Sequence, residues 1–82
     1  MQFDYRIMGQ VIRRLRKESG QSQEVFSGLA GIARSHLSAI ENGTKDANLE
    51  TLSKIAHAIG LQLSDLIHMI EEESAKQNNN QL

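Results

Sequence analysis

Apolar residues recur along this chain at three- and four-residue intervals, interrupted by glycines and short polar runs, and the pattern predicts five helices. Ile7, Met8, Val11, Ile12 and Leu15 mark a first helix from Tyr5 to Glu18, with Arg13, Arg14 and Lys17 on its wet side. Gly20 ends it and allows a bend into Ser22, whose side chain can cap a second helix carrying Val25, Phe26 and Leu29 on one apolar face. Gly31 supplies a turn. A third helix follows from Arg34 to Asn42, burying Leu37 and Ile40 and closing at Gly43. Asn48 can cap a fourth helix with Leu49, Leu52, Ile55, Ala56 and Ile59 on one face, closed by Gly60. Ser64 is the expected cap of a fifth, whose stripe is Leu66, Ile67 and Ile70. Gly9 costs roughly 1 kcal/mol against alanine inside a helix, so its presence implies that a neighbouring helix packs closely there.

Two short helices meeting at Gly31 make a helix-turn-helix. The exposed face of its second helix carries Arg34, Ser35, Ser38 and Ala39, small or hydrogen-bonding groups that fit a DNA major groove and can meet base edges. An arginine at the start of that helix can hold O6 and N7 of a guanine with two parallel hydrogen bonds, and an alanine methyl can pack on a thymine methyl.

Charge at first argues the other way, because the 82 residues sum to −1 and phosphate binding relies on Lys and Arg. The distribution restores the reading. Residues 1–45 hold seven basic side chains against four acidic ones, a net of +3, and residues 46–82 hold two against six, a net of −4. The half with the groove-sized helix is basic, and the acids gather away from it. There is no cysteine, and no apolar run long enough to span a bilayer; the first ten residues lack the basic and apolar regions of a signal peptide. A cytoplasmic protein is the expectation. His57 and His68 lie on different expected helices without a second ligand at metal spacing, so neither metal nor cofactor is expected.

The residues also carry a family resemblance. Gln23, Leu29-Ala30-Gly31, the Ser35 to Ile40 core and Glu41-Asn42-Gly43 resemble the XRE family of Cro and phage-repressor helix-turn-helix proteins. Ile12, Leu15, Arg16 and Gly20 upstream, and Leu49, Thr51-Leu52, Ile55-Ala56, Ala58 and Gly60 downstream, extend the likeness to about residues 6–70. The resemblance implies an all-α, compact five-helix, lambda-repressor-like domain over residues 1–75, followed by a disordered polar tail at 76–82 whose asparagines and glutamines are too polar to pack. It also implies roles. Arg34, Ser35, Ser38 and Ala39 would contact bases; Ser22, Gln23, His36, Asn42, Thr44 and Lys45 would contact phosphates, with Gln23 bracing Arg34. Arg16 and Glu41 would form a salt bridge between the first and third helices, since an acid in the last turn of a helix needs a cation to offset the dipole. Three positions depart from the family. Gln21 stands where an apolar residue is usual, Ala33 where a Ser, Thr or Asp cap is usual, and Ala47 where a proline is common.

The function so implied is a sequence-specific transcriptional regulator, a repressor, binding double-stranded DNA as a homodimer on a short palindrome. Leu66, Ile67, Met69 and Ile70 are the expected dimer surface, because a small monomer seldom leaves such a stripe wet. The competing class is a protein-interaction module, an antitoxin or adaptor that holds a protein partner with its acidic fifth helix and polar tail. An enzyme is disfavoured: Ser64, Asp65 and His68 share one exposed helix in a domain too small for a water-excluding pocket.

Overall fold

The computed structural model describes residues 4–79, and among them it contains five helices and no strand. They are α1 (Tyr5–Glu18), α2 (Gln23–Ala30), α3 (Arg34–Glu41), α4 (Leu49–Ile59) and α5 (Leu63–Asn79). Local chemistry sets most of the ends. Asp4 Oδ1 accepts from Arg6 N at 2.9 Å, Ser22 Oγ from Val25 N at 3.2 Å and Asn48 Oδ1 from Thr51 N at 2.8 Å, each satisfying an amide that has no intrahelical partner. At the other ends, Gly31 (φ 73°) and Gly60 (φ 92°) take the left-handed conformation that closes α2 and α4.

One core unites the helices. Met8 and Ile12 of α1, Phe26 of α2, Leu37 and Ile40 of α3, Leu52 and Ile55 of α4, and Leu66 and Ile70 of α5 are all buried in a single cluster. The first helix is central, packing on α3, α4 and α5, while α2 packs on α3 and α4. Gly9 explains how close α1 and α3 come. A Cβ there would run into the carbonyl oxygen of Ile40, so only glycine lets the two backbones meet.

Several sequence expectations are corrected. Leu66 and Ile70 are fully buried in the monomer core rather than offered to a second copy, because α5 folds back across α1 and α4 and turns its main stripe inward; Ile67 and Met69 are half-buried. Val25 and Leu29 are exposed, which leaves Phe26 and Ala30 as the apolar inner residues of α2, and Leu49 is also exposed, 65%. In place of a Ser64 cap, α5 already begins at Leu63, with Asp65 Oδ2 accepting from Gln62 N at 3.2 Å, and Ser64 is exposed. The polar tail expected from residue 76 is helical through 79, because it has something to pack on. Ser74 is buried, Glu73 reaches Arg14 at 3.5 Å, and Gln77 Nε2 donates to Gln10 at 3.0 Å. Residues 80–82, the rest of that tail, lie outside the described residues.

Candidate nucleic-acid interface

The third helix is built so that one side and one end are held and the rest faces outward. Leu37 and Ile40 are buried three residues apart and fix its inner side. Its first turn is bare. Ala33 has the extended backbone of an N-cap (φ −67°, ψ 141°) but no side-chain oxygen, so no cap hydrogen bond forms. Arg34 and Ser35, the first two residues of the helix, are exposed, and Ser38 and Ala39 are half-buried one turn on. Arg34 has no ion-pair partner among the described residues. Its guanidinium is free for a ligand.

Gln23, the first residue of α2, shares a shallow concavity with Arg34, Ser35 and Ser38. That juxtaposition joins the start of one helix to the outer face of the next. Ser22 immediately precedes it and spends its hydroxyl acceptor on the Val25 amide. The resemblance makes Gln23 a brace for Arg34, but in the structure its amide is held elsewhere. Gln23 Nε2 donates to Glu41 Oε1 at 3.1 Å.

Glu41 in turn belongs to a buried ion pair. Arg16 Nε donates to Glu41 Oε2 at 2.7 Å and Arg16 Nη2 to Glu41 Oε1 at 2.9 Å, a two-pronged pairing of α1 with the end of α3. A third donor, Arg16 Nη1, reaches the carbonyl of Gln21 at 2.7 Å and so ties the bend before α2 to the same charge. The hydrogen bonds it donates to Glu41 hold the pKa of the Arg16 guanidinium above its ordinary value, against the opposing effect of burial. With side-chain exposures of 9% and 0%, these two groups would be costly if unpaired.

Past the end of α3, the expected phosphate residues form a small hydrogen-bonded cluster. Asn42 occupies the C-cap, and its Nδ2 lies 3.5 Å from Ser38 Oγ. Thr44 Oγ1 donates to the carbonyl of Ala39 at 3.1 Å, and its amide donates to the same oxygen at 3.0 Å. The Thr44 hydroxyl proton is thereby engaged in closing the helix, and the neighbouring Lys45 is exposed and has no ion-pair partner among the described residues. His36 is half-buried on α3. The link from Gln23 to Glu41 was missed by the sequence reading, and no local pattern signals a contact across that separation.

A solvent-facing helix with a bare, cationic first turn, set beside the start of a preceding helix, defines a helix-turn-helix protein. The helix-turn-helix family model HTH_3 matches residues 12–66, and the chain belongs to that family. It is 39% identical over 66 residues to the control protein C.MunI of a Mycoplasma species, an alignment spanning 79% of this chain and 89% of that one. The control protein C.BamHI of Bacillus amyloliquefaciens is 36% identical over 62 residues, covering 74% of this chain and 76% of that one. Among solved structures, the restriction-modification controller protein C.AhdI of Aeromonas hydrophila superposes with a TM-score of 0.73 at 33% identity, covering 77% of this chain and 96% of that chain.

Proposed function

We propose that this chain is a sequence-specific DNA-binding regulator of transcription that acts in the cytoplasm as a homodimer on a short palindrome. The observation that carries the reading is the exposed first turn of α3. Arg34 and Ser35 are exposed on it, without an ion-pair partner for Arg34 among the described residues, in a helix whose opposite side is locked into the core, and Gln23 lies in the same concavity. A helix of this size fits the major groove of B-DNA, where Arg34 reads guanine and Ser35, Ser38 and Ala39 face neighbouring bases. Lys45 and the free N–H groups at the start of α2, beside Ser22 and Gln23, hold phosphates on either side and set the register of the helix without reading sequence. This role needs neither a cofactor nor a catalytic step.

Support for a dimer comes from a second surface. Leu49, 65% exposed at the start of α4, lines an apolar groove with Ala47, Leu52 and Ile67. This groove, with half-buried Ile67, takes over the role first given to the stripe that α5 turns inward. A second copy related by a two-fold axis would cover it, and a homodimer of this kind suits a palindrome whose half-sites lie about one helical turn, roughly 34 Å, apart.

Selection of bound duplexes from a random pool, followed by affinity of the selected duplex across a salt series, tests the reading. A palindrome is expected, with affinity that falls as salt rises. Arg34→Ala should lose roughly 1–3 kcal/mol of discrimination at one position of each half-site while the salt dependence changes little. Enrichment of no sequence would overturn the assignment.

A further inference from the structure

We propose that Arg6, at the start of α1, is a further phosphate-contacting residue, seated on the backbone just past α3 and exchanging Asp4 for a phosphate when DNA binds. The proposal rests on the DNA-binding reading above and brings into the interface a helix that reading leaves to the core.

Packing fixes the seat. A Cβ placed on Gly43 would lie 3.1 Å from Arg6 Cγ, 3.2 Å from its Cα and 3.3 Å from its Cβ, so the first turn of α1 rests on the loop backbone with no side chain between them. Gly9, three residues further on and on the same side of α1, meets the Ile40 carbonyl, so this side of α1 runs along the end of α3. Gly43 stands between Asn42 and Thr44, and Lys45 follows. With Cα atoms spaced about 3.8 Å along the chain, that of Lys45 is at most about 7.6 Å from Gly43. Arg6 and Lys45 thus bring two cations, one from α1 and one from the loop, to the same edge of the proposed interface.

The Arg6 charge is held only loosely. Its side chain is 76% exposed, and its one ion-pair partner among the described residues is Asp4, with Nη2 3.3 Å from Oδ2 and Nε 3.5 Å from Oδ1. The shorter bond is the helix cap, from the Arg6 amide to Asp4 Oδ1 at 2.9 Å, and it does not depend on the guanidinium. An exposed ion pair contributes little, whereas a phosphate offers the arginine fork two parallel hydrogen bonds and releases condensed counterions. Arg6 can therefore leave Asp4 for a phosphate while Asp4 keeps its cap. Asp4, left beside that phosphate, opposes binding. Since every base pair carries the same phosphates, the contact adds affinity and register without reading sequence.

The readout is the slope of log affinity against log salt on the duplex that the wild type selects. Arg6→Gln keeps the stem on Gly43 and removes the charge. It should lower the slope by about one per half-site, with Tm and base preference unchanged. Arg6→Lys should keep the wild-type slope. Asp4→Asn retains a capping side chain and should tighten binding, by at most about fivefold per half-site. Arg6→Gln made together with Asp4→Asn should lower the slope as much as it does alone, which separates a lost phosphate contact from a bared carboxylate. Arg14→Gln controls for net charge, because Arg14 turns toward α5, 3.5 Å from Glu73, and it should leave the slope nearly unchanged. An unchanged slope in Arg6→Gln, an equal fall in Arg14→Gln, or an altered base preference would each overturn the proposal. If Arg6→Gln does not fold, the wild type decides. Its Arg6 Nε–H resonance should shift on titration with the duplex and that of Arg14 should not, and an unmoved Arg6 signal would overturn the proposal. Failure of the wild type to select any duplex is a separate result that sinks the DNA-binding reading itself, and this proposal with it.

Discussion

The two ends of α3 are built on opposite plans. At its C-terminal end, Ile40 is fully buried, Glu41 is held by Arg16 and Gln23, the carbonyl of Ile40 accepts from Gly43 N at 3.1 Å, and Gly9 lets α1 press directly on that backbone. At its N-terminal end, Ala33 offers no cap, and Arg34 and Ser35 lie in solvent. A helix fixed at one end and bare at the other presents its first turn at a defined place while leaving that turn's groups unsatisfied. Unsatisfied donors at a helix N-terminus suit an anionic ligand, because they lose little by giving up water and gain from the dipole. The contrast teaches that rigidity and readiness to bind are assigned to different turns of one eight-residue helix.

The largest effect is expected at the locked end. Arg16→Met strands the Glu41 carboxylate in the core and should cost roughly 3–5 kcal/mol in urea unfolding, enough to unfold much of a domain this small. Adding Glu41→Leu should recover most of that loss. A single variant as stable as wild type would show that water reaches Glu41 and that the locked end is not locked. Next in size is Gly9→Ala. Helix propensity alone favours alanine by about 1 kcal/mol, but the new methyl meets the Ile40 carbonyl, which cannot retreat without breaking its bond from Gly43. Overpacking against backbone should win, with a net loss of about 2 kcal/mol by the same unfolding measurement. A stabilised variant would mean that α1 and α3 can slide apart at little cost.

Legibility in the sequence follows the same division between local and long-range causes. Ser22, Asn48, Gly31 and Gly60 act within a turn or two of where they stand, so the helix ends they set could be read from residue type and spacing. Gly9 was legible as a close approach, because alanine is the better helix former wherever a neighbour leaves room for its methyl. The α5 stripe was legible as apolar but not as to what covers it. Periodicity places Leu66 and Ile70 on one face, while only the fold-back of α5 onto α1 and α4 decides that the face is the core. Composition misjudged residues 76–79 for a related reason: Glu73 and Gln77 find Arg14 and Gln10 from 59 and 67 residues away, and no window of sequence contains both. In the candidate interface, exposure of Arg34 and Ser35 followed from the helical pattern. The turn of Gln23 toward Glu41 did not, since it depends on α2 and α3 crossing at one particular place.

The smallest expected effect probes the bare end. Ala33 already holds the extended φ and ψ of an N-cap residue, so a serine can enter without moving the backbone. Its Oγ would accept from an amide in the first turn, as Ser22 does for α2 at 3.2 Å. Ala33→Ser should therefore stabilise the protein by about 1 kcal/mol, read as a rise in Tm of roughly 4–8 °C. The effect on binding separates two views of the bare turn. If the turn frays when free and orders on DNA, the cap removes part of that ordering cost and tightens binding by at most about fivefold, which is what 1 kcal/mol allows. If the bare amides themselves grip a phosphate, the serine occupies one of them, and binding weakens although the protein has become more stable. An unchanged Tm would show that Ala33 does not leave the first turn short of a partner, and the contrast between the two ends of α3 would fall.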